Sequence, residues 1–505
     1  VTSTAGATVD DDLDVVVIGA GLSGVAAGHY LRKDCPWATF TILESRGSLG
    51  GTWSLFEYPG LRSDSDMFTL GYSFRPWDGP KSIADGNDIL DYIERTAHSE
   101  GIDRHIQYRR RVTAANWSST DRRWHLTVDH LDDGSTSTIR CKFVMSCTGY
   151  YRYDHGYTPE FDGVADFSGH IIHPQHWPTD IDVAGQRVTV IGSGATAITL
   201  VPALARTAAH VTMLQRSPTY VVAAPSTDRV INALRRRFPG RATATAIRWW
   251  KTLVSTATYL FARQFPKAAA RAILSQVVKS LPDGYDVDRH FRPRYAPWDQ
   301  RICLAADGDF FDAIRSGSAS IVTDHVDHFT EHGIALRSGD HLDSDLVVTA
   351  TGLELLFLGG ILLSVDGAEV AAAERLLHRG AMLAGVPNFA IALGYTNASW
   401  TLRCELTCRY ITQLLGHMRT HRLDVCTPQE PPAHIRSAPA LGLSSGYVQR
   451  AVGSFPPQGT RDPWKTYDTY LRDLWSIRAA TFDNDDLHFG LSRRPPGSND
   501  PGPRL

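Results

Sequence analysis

The apolar positions of this chain repeat one pattern twice. The first copy begins at residues 13–18 (LDVVVI), an apolar run of the kind carried by a strand buried on both faces. A glycine-rich turn follows, then VAAGHYLRK with helical character, then ATFTILE, a second strand that ends in Glu44. This is a strand–turn–helix–strand unit. The second copy starts at Arg187 with VTVIG, continues through SGATA and a helix to Leu204, and reaches the strand HVTML. It resumes far downstream in SIVTD, IALRS and DLVVTATG.

Between Tyr108 and Gly149 the pattern is that of short strands: RRVTAANW, RWHLTVDH, STIRC and KFVMSCTG, with a turn at 132–135. An antiparallel meander returning to the first parallel sheet accounts for this order. Residues 228–293 have helical spacing and predict an insertion rich in Arg, Ala, Leu and aromatics. Its Trp249, Trp250, Tyr259 and Phe261 suit a packing subdomain or a wall of the substrate pocket. A weak peripheral membrane contact is the third reading. After Gly352, VPNFAIALGYTNAS predicts a last buried strand and turn before the helix TLRCELTCRYITQLLGHM. The expected class is α/β, with two Rossmann-like dinucleotide-binding domains in a glutathione-reductase-like architecture. The first takes residues 13–150 and 352–492, the second 186–227 and 294–351. A linker occupies 151–185, and 1–12 and 493–505 are expected to be disordered.

Composition narrows the partners. The 505 residues are 43% hydrophobic and 21% charged, an ordinary soluble balance. A net charge of −3 favours no nucleic acid, and Arg109–Arg111 reads as a solvated strand edge. No apolar run reaches the ~18 residues of a transmembrane segment. The first residues, VTSTAGATVDDD, lack the basic and apolar regions of a signal peptide. Seven scattered cysteines without a C-x-x-C suit reduced, buried thiols in a cytoplasmic protein. Cys404 and Cys408 could share a helix face, but no His or Asp completes a ligand set, so no metal is expected.

The chemistry lies in the turns. Gly19, Gly21 and Gly24 form G-x-G-x-x-G between strand and helix, where glycines allow a tight turn, backbone approach to a pyrophosphate and close helix packing. Glu44, twenty residues beyond Gly24, can accept hydrogen bonds from ribose hydroxyls. The second turn is Gly192, Ser193, Gly194, Ala195, Thr196 and Ala197. Its second strand is followed by Arg216 and Ser217 instead of an acid. A guanidinium there can hold a 2′-phosphate that a carboxylate would repel. The asymmetry assigns FAD to the Glu44 site and NADPH to the Arg216 site. Residues 50–64 carry G-G-T-W, Y-P-G and Asp64. Trp53 is placed to pack on the flavin end, and Asp64 is either a carboxylate near the ring or a helix N-cap within RSDSD. No cysteine lies between Cys35 and Cys141, which removes the redox pair that a disulfide reductase of this architecture needs.

Between the two units lies FSGHIIHPQHWP, with the spacing F-x-G-x-x-x-H-x-x-x-W-P over residues 167–178. His173 is a candidate catalytic base, since histidine titrates near neutral pH. Its apolar and proline-rich neighbours favour a linker histidine that bonds backbone and fixes the angle between domains.

Together these motifs resemble the class B flavoprotein monooxygenases, and the FSGHIIHPQHWP stretch matches the fingerprint of type I Baeyer–Villiger monooxygenases. YPGLRSDSDM, VIGSGATA, MLQRSPTY, DVDRHF, PWDQR and GYTNASWTL are similar to the ethionamide-activating branch. The resemblance runs from about Leu13 to about Phe489. It implies that Arg301, in PWDQR, stabilises an anionic C4a-peroxyflavin, and that Asp64 tunes it. It also implies FAD contacts at Ser23, Glu44, Thr52, Trp53, Ser54, Leu55, Asp64 and Val112. NADP contacts are implied at Arg62, Ser63, Asp64, 193–197, Arg216 and Ser217. The implied activity is FAD- and NADPH-dependent insertion of one oxygen atom of O2 beside a ketone carbonyl. The alternatives are oxygenation at sulfur or nitrogen, and a nucleotide-binding protein without oxygenation. Residues 427–445 and Arg403-Cys404-Glu405 depart from the branch pattern, and both are expected to border the substrate entrance.

Overall fold

Val15 and Val17 face one side of the first sheet, Val16 and Ile18 the other, and all four are buried. Removing each such side chain from water is worth roughly 1.5–3 kcal/mol. That two-sided burial is why the strand reads as a continuous apolar run. The computed structural model describes residues 9–491. The first eight residues and the tail expected at 493–505 lie outside them. The strand is Val9–Ile18, so it starts four residues ahead of the expected Leu13, and Val9, Asp10 and Asp12 are paired rather than disordered. The acidic start concealed this. Asp12 pairs with Arg123 at 2.8 Å and Asp14 with Lys142 at 2.7 Å, so the neighbouring strands supply the countercharge.

The first sheet has a parallel centre: Ile106–Gln107, Phe40–Leu43, Val9–Ile18, Thr136–Ser146 and Phe389–Ile391, in that order. Thr136–Ser146 also closes the antiparallel meander with Arg123–His130 and Arg110–Ser118. The second sheet is five parallel strands: Ala319–Thr323, His210–Gln215, Arg187–Ile191, Leu346–Thr349 and His170–Ile172. His170–Ile172 belongs to the segment expected as a linker. Its pairing with Leu346–Thr349 makes it an edge strand of the second sheet. The fold is therefore mixed α/β with two Rossmann-like units.

Residues 228–293 form the helices Arg229–Arg237, Arg241–Gln264, Pro266–Ser280 and Val287–Phe291. The helix Trp400–Thr420 packs on Leu22–Asp34 and is buried along most of its length. All seven cysteines are free and buried. Among the described residues, no helix is long and apolar enough to cross a membrane.

Candidate functional site

One cavity of about 1440 Å³ runs between the two sheets and is lined by residues of both glycine turns. A pocket for one small ligand is typically ~300–1,000 Å³, so this volume has room for more than one. At the first turn Gly19 has φ +100°, and a Cβ there would lie 2.6 Å from the Cys147 carbonyl oxygen. A Cβ on Gly24 would lie 1.8 Å from the Gly19 carbonyl oxygen, so only glycine lets the helix approach this closely. The helix Leu22–Asp34 that follows has no side-chain cap. Its first N–H groups are left for a ligand, the usual device for holding a pyrophosphate. Glu44 is buried; its Oε2 accepts from the Ala20 N–H at 2.8 Å and its Oε1 from the Arg46 N–H at 2.9 Å. Two backbone donors thus hold it at the cavity wall. Ser23 accepts from the Trp400 Nε1–H at 2.8 Å. Arg46 donates to Ser54 Oγ at 2.8 Å and to its carbonyl at 2.7 Å, fixing the short helix Thr52–Leu55. Gly21, Ser23, Glu44, Thr52, Trp53, Leu55 and Val112 all line the cavity, whereas Ser54 faces Arg46 instead.

The second turn repeats the device. The Gly192 N–H donates to the Leu214 carbonyl at 2.8 Å, as the Gly19 N–H does to that of Leu43 at 2.8 Å. A Cβ on Gly192 would lie 2.2 Å from the Ala350 oxygen, while one on Gly194 would meet nothing within 4 Å. Gly194 therefore leaves open space before the uncapped helix Ala195–Leu204. Ser193 Oγ donates to the Ser217 carbonyl at 3.0 Å. Arg216 and Ser217 are exposed at the rim, and both line the cavity with Ser193, Ala195 and Thr196. Ala197 is fully buried beneath the turn. Arg62 reaches the cavity, but its guanidinium is engaged by Asp309 at 2.5 Å. Ser63 is buried with its hydroxyl on the Ser65 carbonyl at 2.9 Å. The donor sets and both glycine cradles fit two dinucleotides.

Between the cradles, Arg301 Nη1 donates to Asp64 Oδ2 at 2.8 Å. The N-cap alternative belongs to Asp66, whose carboxylate accepts from the Phe68 N–H at 2.8 Å. Arg301 Nε is buried and has no hydrogen-bond partner. Burial opposes the guanidinium charge, but Asp64 and the hydroxyls of Tyr150, Tyr447 and Tyr151 outweigh it and raise the pKa well above the ordinary value. Arg301 is a fixed cation. Burial, more than the opposing pull of Arg301, pushes the Tyr447 hydroxyl up to about 12, so it stays protonated. Tyr150 and Tyr151 have ring centroids 4.5 Å apart, and Tyr150 lies 4.9 Å from Trp400.

His173 does not reach toward Arg301. Its Nε2 lies 3.1 Å from the Gly352 carbonyl, and its Nδ1 accepts from the Gln175 N–H at 3.2 Å. Both nitrogens are used by backbone, which fixes the proton on Nε2. Burial holds its pKa below the ordinary 6.5, despite the Gly352 carbonyl. The ring lies against Gly156, where a Cβ would sit 1.9 Å from Cε1. These contacts suit the linker reading of His173 and leave no nitrogen free for a general base.

The Arg403-Cys404-Glu405 departure does not border the cavity. All three are buried in Trp400–Thr420. Arg403 pairs with Asp473 at 2.7 Å, and Glu405 with Arg248 of the insertion at 2.8 Å. These residues clamp the C-terminal segment and the insertion onto the first unit. The 427–445 stretch does touch the site at its end: Ser445 lines the cavity, and the Ser444 N–H donates to the Asp299 carbonyl at 2.8 Å in the Arg301 loop. Tyr150, Tyr151 and Tyr447 were not singled out from the sequence. The pair at the end of SCTGYY follows a strand that enters the site, which was a usable signal; Tyr447 offered none.

Residues 67–233 match the flavin-binding monooxygenase-like family, and 17–80 match the NAD(P)-binding Rossmann-like domain. The chain is 46% identical over 488 residues to the FAD-containing monooxygenase EthA of Mycobacterium tuberculosis, covering 96% of this chain and 99% of that one. It is 41% identical over 483 residues to a probable FAD-binding monooxygenase, AlmA, of Acinetobacter baylyi, covering 95% and 97%. Among solved structures it resembles an oxidized steroid monooxygenase bound to NADP, with a TM-score of 0.77, 23% identity, and 96% and 100% coverage.

Proposed function

The chain belongs to the FAD-containing monooxygenases, and on that premise we propose that it is a Baeyer–Villiger monooxygenase. It would use FAD, NADPH and O2 to place one oxygen atom beside a ketone carbonyl, giving an ester or lactone. The observation that carries this reading is the Arg301–Asp64 contact at 2.8 Å, with a free Arg301 Nε, in the crevice between two glycine cradles.

The unit of residues 13–150 and 352–492, as far as it is described, would hold FAD; residues 186–227 and 294–351 would hold NADPH. Gly19, Gly21 and the helix after them would take the FAD pyrophosphate and Glu44 its ribose, with the Thr52–Leu55 helix and Val112 as further FAD contacts. Ser193 to Thr196 take the second pyrophosphate and Arg216 the 2′-phosphate. The cofactors supply hydride transfer and O2 activation. The chain supplies the electrostatics. Arg301 sets a permanent positive charge where negative charge develops on the transferred oxygen and on the ketone oxygen. Asp64 fixes the guanidinium's orientation. Tyr151 and Tyr447 keep their protons, so they wall the site and donate hydrogen bonds without adding negative charge. His173 holds residues 173–175 against Gly352 and so fixes the second unit on the first. The same protonated hydroxyls favour a second activity, oxygenation of sulfur or nitrogen, where an electrophilic oxygen is required.

The test is NADPH-dependent turnover of the purified, FAD-loaded protein on linear, cyclic and aryl ketones beside a thioether, with products identified. Ester or lactone is expected. Sulfoxide without ester from any ketone would overturn the Baeyer–Villiger reading.

A further inference from the structure

The insertion helix Arg241–Gln264 turns Arg248 and Lys251 inward and a row of apolar residues outward. Arg248 reaches Glu405, and Lys251 reaches Asp66 and Asp228 at 3.1 Å each, all toward the protein. Ile247, Thr252 and Ala262 are buried on the same side. Trp249, Trp250, Leu253, Val254, Leu260 and Phe261 are exposed, Trp250 at 63% and Phe261 at 49%. At 100° per residue these six fall within one face, and Ala246, Ala257 and Gln264 share it, so the face carries no charge. The property extends to neighbouring helices: eleven of the nineteen exposed large hydrophobics among the described residues lie between Val230 and Val278. An apolar face of this extent in contact with water needs a covering.

Charge identifies the covering. Residues 229–282 contain eleven Lys and Arg and no Asp or Glu, in a chain of net charge −3. Arg248, Lys251 and Arg263 pair with carboxylates from elsewhere. The other eight have no carboxylate partner among the described residues, and Arg236, Arg237, Arg241, Lys267, Arg271 and Lys279 are exposed. A second copy of this chain would bring the same cations against themselves. An anionic bilayer offers both an apolar interior boundary and a negative surface. Exposed Trp and Phe beside Lys and Arg is the composition of helices that lie in that interface. We infer that the 229–282 helices dock the protein peripherally on anionic lipid bilayers, with Trp250 and Phe261 inserted and the surrounding cations on the headgroups. The inference does not depend on the reaction catalysed. The helix also reaches the Arg301 loop, through Arg263 to Asp299 at 2.7 Å and Tyr259 to Trp298 at 5.7 Å.

The test is flotation of the full-length, FAD-loaded protein with two kinds of vesicle: phosphatidylcholine alone, and phosphatidylcholine mixed with phosphatidylglycerol. Binding to the anionic vesicles is expected to exceed binding to the neutral ones by about tenfold or more and to weaken with salt. Trp250→Gln with Phe261→Gln, and separately Arg236→Gln with Arg237→Gln, should each reduce it while FAD content stays unchanged. Two results would overturn the inference. One is the absence of anionic-vesicle binding by the wild type. The other is a concentration-dependent dimer that Trp250→Gln with Phe261→Gln dissociates while vesicle binding persists, which would give the face to a second copy.

Discussion

The Glu405 carboxylate lies 2.8 Å from the Arg248 guanidinium; Glu405 is buried and Arg248 is 13% exposed. Glu405 also accepts from the Ser73 N–H at 3.0 Å and the Tyr30 hydroxyl at 3.2 Å. The pair joins the insertion to the first unit across 157 residues of chain. Removing one partner strands the other charge. Glu405→Gln should destabilise the protein by about 3 kcal/mol, read as a lowered unfolding midpoint. Glu405→Leu with Arg248→Met should recover much of it. An unchanged midpoint in Glu405→Gln would show that the pair does not hold the insertion.

Arg301→Ala should keep FAD bound and reduction by NADPH intact, because neither cradle contains Arg301. Ester formation should fall about 10²–10³-fold, the usual cost of losing one group that stabilises developing negative charge. The ratio of ester formed to NADPH consumed separates this from a general loss of activity. Wild-type coupling in the variant would remove Arg301 from the mechanism.

Arg216→Ala tests the choice of nicotinamide cofactor. A charge-assisted contact to the 2′-phosphate is worth ~1.5–3 kcal/mol. KM for NADPH should therefore rise roughly 10- to 100-fold while KM for NADH changes little. Equal changes in both would refute the contact.

His173 predicts a pH dependence with a definite sign. Burial lowers its pKa below the ordinary 6.5, so the unfolded chain binds the proton more tightly than the folded one. Its contribution to stability is complete above pH 6.5 and is lost as the pH falls below 6.5 through the folded value. Between those values the wild-type unfolding midpoint should drop, and His173→Gln should flatten that part of the curve. His173→Ala should cut turnover with FAD retained, and Gly156→Ala, which drives a methyl into the ring, should do the same. Loss of FAD from either variant would count against a role in fixing the two units together.

Periodicity located both parallel units because their strands are buried on both faces and their turns need glycine. Glu44, Arg216 and the two cradles were legible for the same reason: local spacing alone places them. Arg301 was legible only through the family resemblance, and Asp64 otherwise only as one of two alternatives, since their contact joins segments 237 residues apart. Tyr447 and the Ser444–Asp299 clip escaped because nothing local marks a loop that folds back on a site. Arg403 and Glu405 were misplaced for a related reason. A charged residue in a helix reads as surface until its distant partners, Asp473 and Arg248, are seen. The early start of the first strand was hidden by its acidic residues, of which Asp12 and Asp14 find their countercharges on other strands.

The burial of all seven cysteines has a bearing on the protein's working life. Cys147 and Cys303 stand in the cavity wall itself. Burial pushes the thiols of Cys35, Cys303 and Cys404 up to about 12 and raises those of Cys141, Cys147, Cys408 and Cys426 as well. Peroxides attack the thiolate, and here that form is suppressed. Hydrogen peroxide released by any turnover that consumes NADPH without product would therefore meet no thiolate poised to react with it. The five methionines are buried as well, so the protein's tolerance of idle turnover should be set by the fold's own stability.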